Sequence, residues 1–152
     1  MMPLFFQEYL ERLQDLHAGI QKELAGLPVE ALEWIPGESM NSLSVLVVHL
    51  TGSERYWIGD VVLAESSNRD REAEFHASGL DVGALNQRLD DTLSYARDAL
   101  ARLELVDLDR QCLSPRGGKQ FSASWALLHA LEHTAVHLGH IQLTRQLWDQ
   151  RP

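Results

Sequence analysis

Four of the seven histidines fall within one short stretch near the carboxyl end of the chain. They are His129, His133, His137 and His140, inside the segment that runs from Trp125 to Trp148. On a helix with 3.6 residues per turn, residues four apart stack on one face, and a residue three further on lies beside them. If this segment is helical, the four rings share one face, which we interpret as half of a metal site.

Two histidines four apart on a helix present their imidazoles side by side, with Cβ atoms about 5–6 Å apart. Rings at this spacing can converge on one ion at the ~2.0–2.1 Å of a zinc–imidazole bond. His133 and His137 form such a pair, and so do His129 and His133. A third ligand must come from another element. His49 is the best candidate because it borders an apolar stripe, where a solvated histidine would gain nothing.

Three neutral histidines leave a position for water or substrate, as in catalytic rather than structural metal sites. Imidazole suits zinc, nickel, iron and copper alike, so the sequence predicts a divalent transition metal without selecting one. The alternative is a set of core histidines hydrogen-bonded to the backbone or to each other. A buried stripe of four would then be costly, because each ring needs a polar partner.

Properties of the whole chain restrict the classes of function. The 152 residues predict a single domain over residues 1–152. A net charge of −9 argues against a nucleic-acid-binding protein, which needs a basic surface. The single cysteine, Cys112, cannot form an internal disulfide. The first residues lack the basic region of a signal peptide, and no apolar run reaches the ~20 residues of a membrane span. We therefore expect a cytoplasmic protein with neither a nucleic-acid nor a membrane partner.

Apolar periodicity predicts an all-α fold, a four-helix bundle. The polar segment Glu65–Gly79 is a long connection between helices 2 and 3 that can carry the chain across the bundle. The segment Val106–Ser122 is expected to be irregular, with a short hairpin between RQCLS and KQFSA as one alternative. The predicted helices run from Leu4 to Ala25, from a cap at Asn41 or Ser42 to about Ala64, from about Leu80 (capped by Asp81) to Leu103, and from a cap at Ser122 or Ser124 to about Asp149.

Two stretches resemble the DinB/YfiT-like superfamily of metalloenzymes. WIPGESMNSLSVLVVHLTGSERYW, from Trp34 to Trp57, is similar to the family's tryptophan–proline loop, its asparagine–serine helix start, and its histidine followed by glutamate and an aromatic residue. EHTAVHLGHIQLTRQLW is similar to its two histidines four apart, followed by glycine and Arg-Gln. One departure is His140, where relatives often have glutamine, so His140 either supports the site or supplies an extra ligand.

The resemblance implies a bundle in up-down-down-up order, a homodimer, and His49, His133 and His137 as the metal ligands. Characterised relatives include S-transferases that use low-molecular-weight thiols such as bacillithiol or mycothiol, and a mycothiol-dependent maleylpyruvate isomerase. The leading hypothesis is therefore a metal-dependent thiol S-transferase acting on a small-molecule substrate. One alternative is a helical dimerisation module without catalysis, with or without metal. The other is a metal-dependent hydrolase, for which no carboxylate is clearly placed as a general base.

Several other residues receive less direct interpretations. Glu54 follows His49 by five positions, about 140° round the helix, so we expect it to support the site or a dimer contact and not to bind the same ion. His129 is interpreted as a core or supporting residue, with a role as a metal ligand as the alternative. His17 and His76 are expected to be exposed.

Overall fold

The computed structural model describes residues Met1–Pro152 and contains four long helices. Their ends lie within three residues of the predicted ones. In chain order, the elements are α1 (Leu4–Leu24), α2 (Val29–Glu33), α3 (Leu43–Arg55) with its extension Tyr56–Leu63, α4 (Arg71–Glu74), α5 (Val82–Leu100), a 3₁₀ turn (Leu105–Asp109), β1 (Gln111–Leu113), β2 (Gln120–Ser122) and α6 (Ala123–Asp149).

Side-chain caps begin three of the long helices. The hydroxyl of Ser42 accepts a hydrogen bond from the Val45 amide at 3.2 Å, and Ser122 caps α6 in the same way. Asp81 accepts from the Ala84 amide at 2.8 Å and begins α5. Each cap satisfies a backbone donor that has no partner within the helix, which is why these residue types mark helix starts.

The second predicted helix has two parts. Its first part is α-helical and ends at Arg55, and Tyr56–Leu63 continues it as a π-helix. Ala64 ends the extension in the left-handed conformation, at φ 56°. Wide turns of this kind occur often at functional sites, because they redirect the side chains that follow. Here the π-helix carries Trp57.

Two hydrogen bonds establish that α1 and α6 are parallel. Near the start of both helices, the hydroxyl of Tyr9 donates to the carbonyl of Leu127 at 2.8 Å. Near the end of both, Nη1 of Arg145 donates to the carbonyl of Glu23 at 2.6 Å.

α3 runs antiparallel to α6. The ring of His49 lies 5.1 Å from that of His137, whereas Trp57, further along the chain, lies 5.3 Å from Trp125, which is earlier in α6.

α3 and α5 are parallel to each other. Arg88 donates to the hydroxyl of Thr51 at 3.0 Å, and further along both helices the Arg55 guanidinium lies 3.9 Å from the centre of the Tyr95 ring. With α1 and α6 in one direction and α3 and α5 in the other, the predicted up-down-down-up order is confirmed.

The buried face of α1 corrects one prediction. It consists of Phe6, Tyr9, Leu13, His17, Ile20 and Leu24. His17 was expected to be exposed but is only 2% exposed. It follows Leu13 by four residues and precedes Ile20 by three, so the helical period places it in the core.

The two predicted connections have local structure. The long connection after Ala64 contains the short helix α4, and the irregular segment contains the hairpin, with Cys112 opposite Phe121. None of the helices is long and apolar enough to cross a bilayer.

Candidate metal centre and its cleft

His49 of α3 and His133 and His137 of α6 face one another where these two helices pack. The ring of His49 lies 5.0 Å from that of His133, and the rings of His133 and His137 are 4.4 Å apart. One nitrogen of each ring lies within 4.8 Å of a nitrogen of each of the others. His49 is buried and the other two are partly buried. The structure thus brings together the three histidines that the sequence singled out.

The nitrogen spacing fits a shared ion. The Nε2 atoms of His133 and His137 are 3.2 Å apart. Two nitrogens bound tetrahedrally at ~2.0–2.1 Å from one ion would lie about 3.3 Å apart. The cluster holds only the three imidazoles, without a cysteine or carboxylate ligand. This donor set suits a borderline-soft divalent ion, and without a fourth protein ligand a bound ion would remain accessible to water or substrate, as in catalytic sites.

Glu74 of α4 orients the ring of His49. Its Oε1 accepts a hydrogen bond from Nδ1 of His49 at 3.0 Å, which leaves the lone pair on Nε2 of that ring free. Arg69 in turn donates to both oxygens of Glu74, at 2.7 and 2.8 Å. Burial alone would raise the pKa of Glu74, but the hydrogen bonds from Arg69 and His49 bring this pKa below its ordinary value. Carboxylate partners of this kind fix the tautomer and orientation of metal-binding histidines.

The environment keeps two of the three rings neutral. Burial, followed by the proximity of His137 and His49, lowers the pKa of His133 to about 3. Burial, followed by the proximity of His49 and His140, lowers the pKa of His137 to about 4. Since only a neutral imidazole can bind a metal, both rings are ready to bind one at neutral pH.

The remaining two histidines of α6 lie outside the cluster. Nδ1 of exposed His140 is 3.3 Å from Nδ1 of His137, on the side of that ring away from His133. His129 stacks on Trp125, with ring centres 4.8 Å apart and planes 11° apart. Its ring is 5.9 Å from that of His133. His140 therefore contacts a member of the cluster from behind, and His129 forms part of an aromatic wall.

Glu54 belongs to a separate network inside the bundle. It is fully buried, and both of its oxygens lie 2.9 Å from Nε2 of His17. The hydroxyl of Thr134 donates to the same carboxylate at 2.7 Å. Burial, followed by the negative charge of Glu54, raises the pKa of the nearby Tyr9 phenol. As expected, Glu54 is not part of the histidine cluster, and its contacts join α1, α3 and α6.

A cleft of about 480 Å³ opens in front of His49 and His133. Trp57, Phe121 and His129 form an aromatic wall, in which Trp57 meets the other two edge-on at 5.2 and 4.8 Å. The basic residues that line the cleft are Arg69, Arg71, Arg116 and Lys119. Its lining includes no aspartate or glutamate.

The sequence interpretation missed Glu74 and Arg69, because they lie in the segment predicted to be a polar connection. One local signal was available. Asp70 caps α4 by accepting from the Ala73 amide at 3.0 Å, and it is followed by the helix-forming residues Glu72 and Glu74. That signal predicts a helical turn, but it does not predict the contact with His49.

Solved structures share this architecture. A conserved protein from Enterococcus faecalis has a TM-score of 0.80 at 15% identity, with 97% of this chain and 98% of that chain covered. YfiT from Bacillus subtilis, described as a probable metal-dependent hydrolase with an unusual four-helix bundle topology, has a TM-score of 0.75 at 15% identity, covering 93% and 86%. A mycothiol-dependent maleylpyruvate isomerase has a TM-score of 0.65 at 15% identity, covering 90% of this chain and 60% of that one.

At these identities the likenesses establish the fold, which is that of the DinB/YfiT-like class. The sequence gives a more specific result, because residues 8–150 match the family model of mycothiol S-transferases. The chain belongs to this family. Comparison with curated proteins gave no match.

Proposed function

We propose that the protein is a divalent-metal-dependent S-transferase that uses a low-molecular-weight thiol, with His49, His133 and His137 as the metal ligands. The observation that carries this proposal is the cluster of three imidazoles beside an open cleft, without a fourth protein ligand. Membership in the mycothiol S-transferase family supports the choice of a thiol as the nucleophile. A cytoplasmic location, where thiols are kept reduced, is part of the same proposal.

A divalent ion at this site would supply the ionisation of the thiol, because a coordinating thiol is deprotonated outright. The chain's own residues prepare the site. Glu74 holds His49 in one tautomer, and burial keeps His133 and His137 neutral. The aromatic wall lines the same cleft as His49 and His133 and offers an apolar surface, so an electrophile can pack against Trp57.

The hydrolase alternative lacks a carboxylate placed as a general base in the cleft. Of the two carboxylates near the histidines, Glu74 accepts hydrogen bonds from Arg69 and His49, and Glu54 contacts His17 and Thr134. Neither lines the cleft. A transferase needs no such base, since ionisation of the thiol already produces the nucleophile.

Turnover of a chromogenic aryl halide with a panel of thiols tests the proposal. The panel contains mycothiol, bacillithiol, cysteine, glutathione and coenzyme A, each assayed with metal-loaded and with chelated protein. We expect turnover with at least one thiol, lost on chelation and restored by adding metal back. Exposed His76, replaced by alanine, is the control and should retain full activity. If no thiol of the panel supports metal-dependent turnover, the transferase is excluded.

We also propose that the protein is a homodimer formed through the outer face of α6. Along this helix, apolar side chains at helical spacing are 37–56% exposed. An unpartnered apolar face of this kind is typical of an interaction surface. The residues are Leu128, Val136, Leu143 and Leu147. Light scattering should give twice the chain mass for the wild type and a monomer for Val136→Glu. A monomeric wild type at micromolar concentration would contradict the dimer.

A further inference from the structure

The hairpin loop over the cleft carries two cations that have no partner in the chain. Arg116 and Lys119 are exposed, and both line the cleft that contains His49 and His133. Neither forms an ion pair. The arginines that do so are Arg55, Arg69, Arg71, Arg102, Arg110 and Arg145.

Three hydrogen bonds hold this loop in place. The hydroxyl of Tyr56 lies 2.6 Å from that of Ser114, which donates to the carbonyl of Arg116 at 3.0 Å. The amide of Arg116 donates back to the hydroxyl of Tyr56, also at 3.0 Å. Tyr56 and Ser114 are both buried, so this cycle attaches the loop to the π-helix that forms the cleft wall. The position of Arg116 over the cleft is therefore built into the fold.

The charge of the cleft contrasts with that of the chain. The protein carries 22 acidic residues against 13 basic ones, yet four basic residues and no acidic one line this cleft. Two of the four are partly compensated, because Arg69 contacts Glu74 at 2.7 Å and Arg71 lies 3.5 Å from exposed Glu72. Arg116 and Lys119 thus supply the uncompensated positive charge. A cleft lined by one sign of charge raises the local concentration of oppositely charged substrate.

The aromatic wall and the loop line the same cleft and are adjacent in sequence. Phe121 follows Lys119 by two residues, and its ring is 5.2 Å from that of Trp57. Trp125 stacks on Phe121 at 4.4 Å, which holds this ring in place. A flat apolar group can therefore lie against Trp57 and Phe121 while an attached anionic group reaches the loop.

We propose that a substrate of the cleft carries a carboxylate next to a flat, apolar portion, and that Arg116 and Lys119 bind this carboxylate. The reaction in which this substrate takes part rests on the proposed function. The binding of its carboxylate by Arg116 and Lys119 does not. The carboxylate can belong to the electrophile or to the thiol, since in the proposed reaction both would enter the cleft lined by His49 and His133.

Binding of matched charged and neutral probes tests the inference without requiring turnover. Quenching of tryptophan fluorescence measures the dissociation constants of 3-nitrobenzoate and of neutral 3-nitrobenzamide. A second pair, N-acetylcysteine and its amide, is measured by competition for the same site. This pair shows whether the bound carboxylate belongs to the thiol. For one of the two pairs, we expect the carboxylate to bind at least about tenfold more tightly than the amide, as a charge-assisted hydrogen bond allows.

The double variant Arg116→Gln/Lys119→Gln should reduce this preference to less than about twofold. Arg97 is exposed on α5 and forms no ion pair, so Arg97→Gln removes a cation elsewhere and should preserve the preference. Equal binding of both members of both pairs to the wild type would overturn the inference, and so would a preference that survives in the double variant. If the preference holds while no thiol supports turnover, the carboxylate site stands and the proposed reaction fails.

Discussion

Two pairs of histidine and glutamate lie at different depths of the bundle, and they differ in what the second ring nitrogen meets. In the cleft, Nδ1 of His49 lies 3.0 Å from Glu74, and the other side of the ring lies next to His133 and His137. In the interior, Nε2 of His17 lies 2.9 Å from both oxygens of Glu54, and its Nδ1 has no polar partner.

The comparison shows that a histidine–carboxylate pair does not by itself make a metal site. Glu74 leaves one nitrogen of His49 available, and α6 supplies two further imidazoles at that position. Glu54 contacts Nε2 of His17, the only nitrogen of that ring with a polar partner. The hydroxyl of Thr134 donates a further hydrogen bond to Glu54. The first arrangement contains three imidazoles that could hold an ion, whereas the second joins three helices.

Loss of a ligand should have the largest effect. We expect His133→Ala to reduce bound metal from about one equivalent to less than a tenth, because two imidazoles cannot complete a stable site. Turnover should disappear with the metal. Elemental analysis of protein purified without an affinity tag measures this, with His76→Ala as the control. Full metal content in His133→Ala would contradict the assignment.

Loss of the interior histidine should affect stability instead. His17→Ala leaves the carboxylate of fully buried Glu54 with Thr134 as its only side-chain partner. The expected loss of unfolding free energy is about 3 kcal/mol, because a buried carboxylate without its partner is costly. Urea denaturation measures it. At low temperature, His17→Ala should bind as much metal as the wild type. Loss of metal from the folded variant would show that the His17–Glu54 pair and the histidine cluster are not independent.

Loss of the carboxylate behind His49 should weaken metal binding without abolishing it. For Glu74→Gln we expect about 10- to 100-fold lower affinity, the usual effect of removing such a partner, with unchanged stoichiometry at saturating metal. A competition titration with a chelator measures the affinity. The matched substitution Glu54→Gln should leave metal affinity unaltered. Equal effects of the two substitutions would remove the distinction between the pairs.

The smallest effect should come from His140. Its ring is exposed and contacts Nδ1 of His137 from solvent at 3.3 Å, so water can replace it. We expect His140→Gln to lower metal affinity by less than about tenfold, and by less than Glu74→Gln does, since one neutral hydrogen bond contributes about 1 kcal/mol. The same titration ranks the two. An effect of His140→Gln equal to that of His133→Ala would make His140 a ligand.

Helical periodicity predicted the bundle, because the four long helices bury continuous apolar stripes. The spacing of His133 and His137 predicted their contact for the same reason, since both lie on one helix. His49 required a contact between distant elements. Its position beside an apolar stripe made it a candidate, and the family resemblance implied it as a ligand. His17 was misassigned although its spacing from Leu13 and Ile20 placed it in the core.

The partners of His49 could not be predicted from local patterns. Glu74 is 25 residues away in sequence, and only the path of the connection around the bundle brings it within 3.0 Å. The sequence did not predict that the unpaired cations Arg116 and Lys119 line the cleft, for a similar reason. Arg116 and Lys119 lie in a hairpin whose formation was uncertain, and its placement depends on contacts with Tyr56.

Anomalous scattering from a crystal of the metal-loaded protein would test the central claim most directly. We predict one strong peak at about 2.0–2.1 Å from a nitrogen of each of His49, His133 and His137, and no peak beside His17. A peak held by other residues would contradict the account, as would the absence of any peak in crystals grown with excess zinc, nickel or iron.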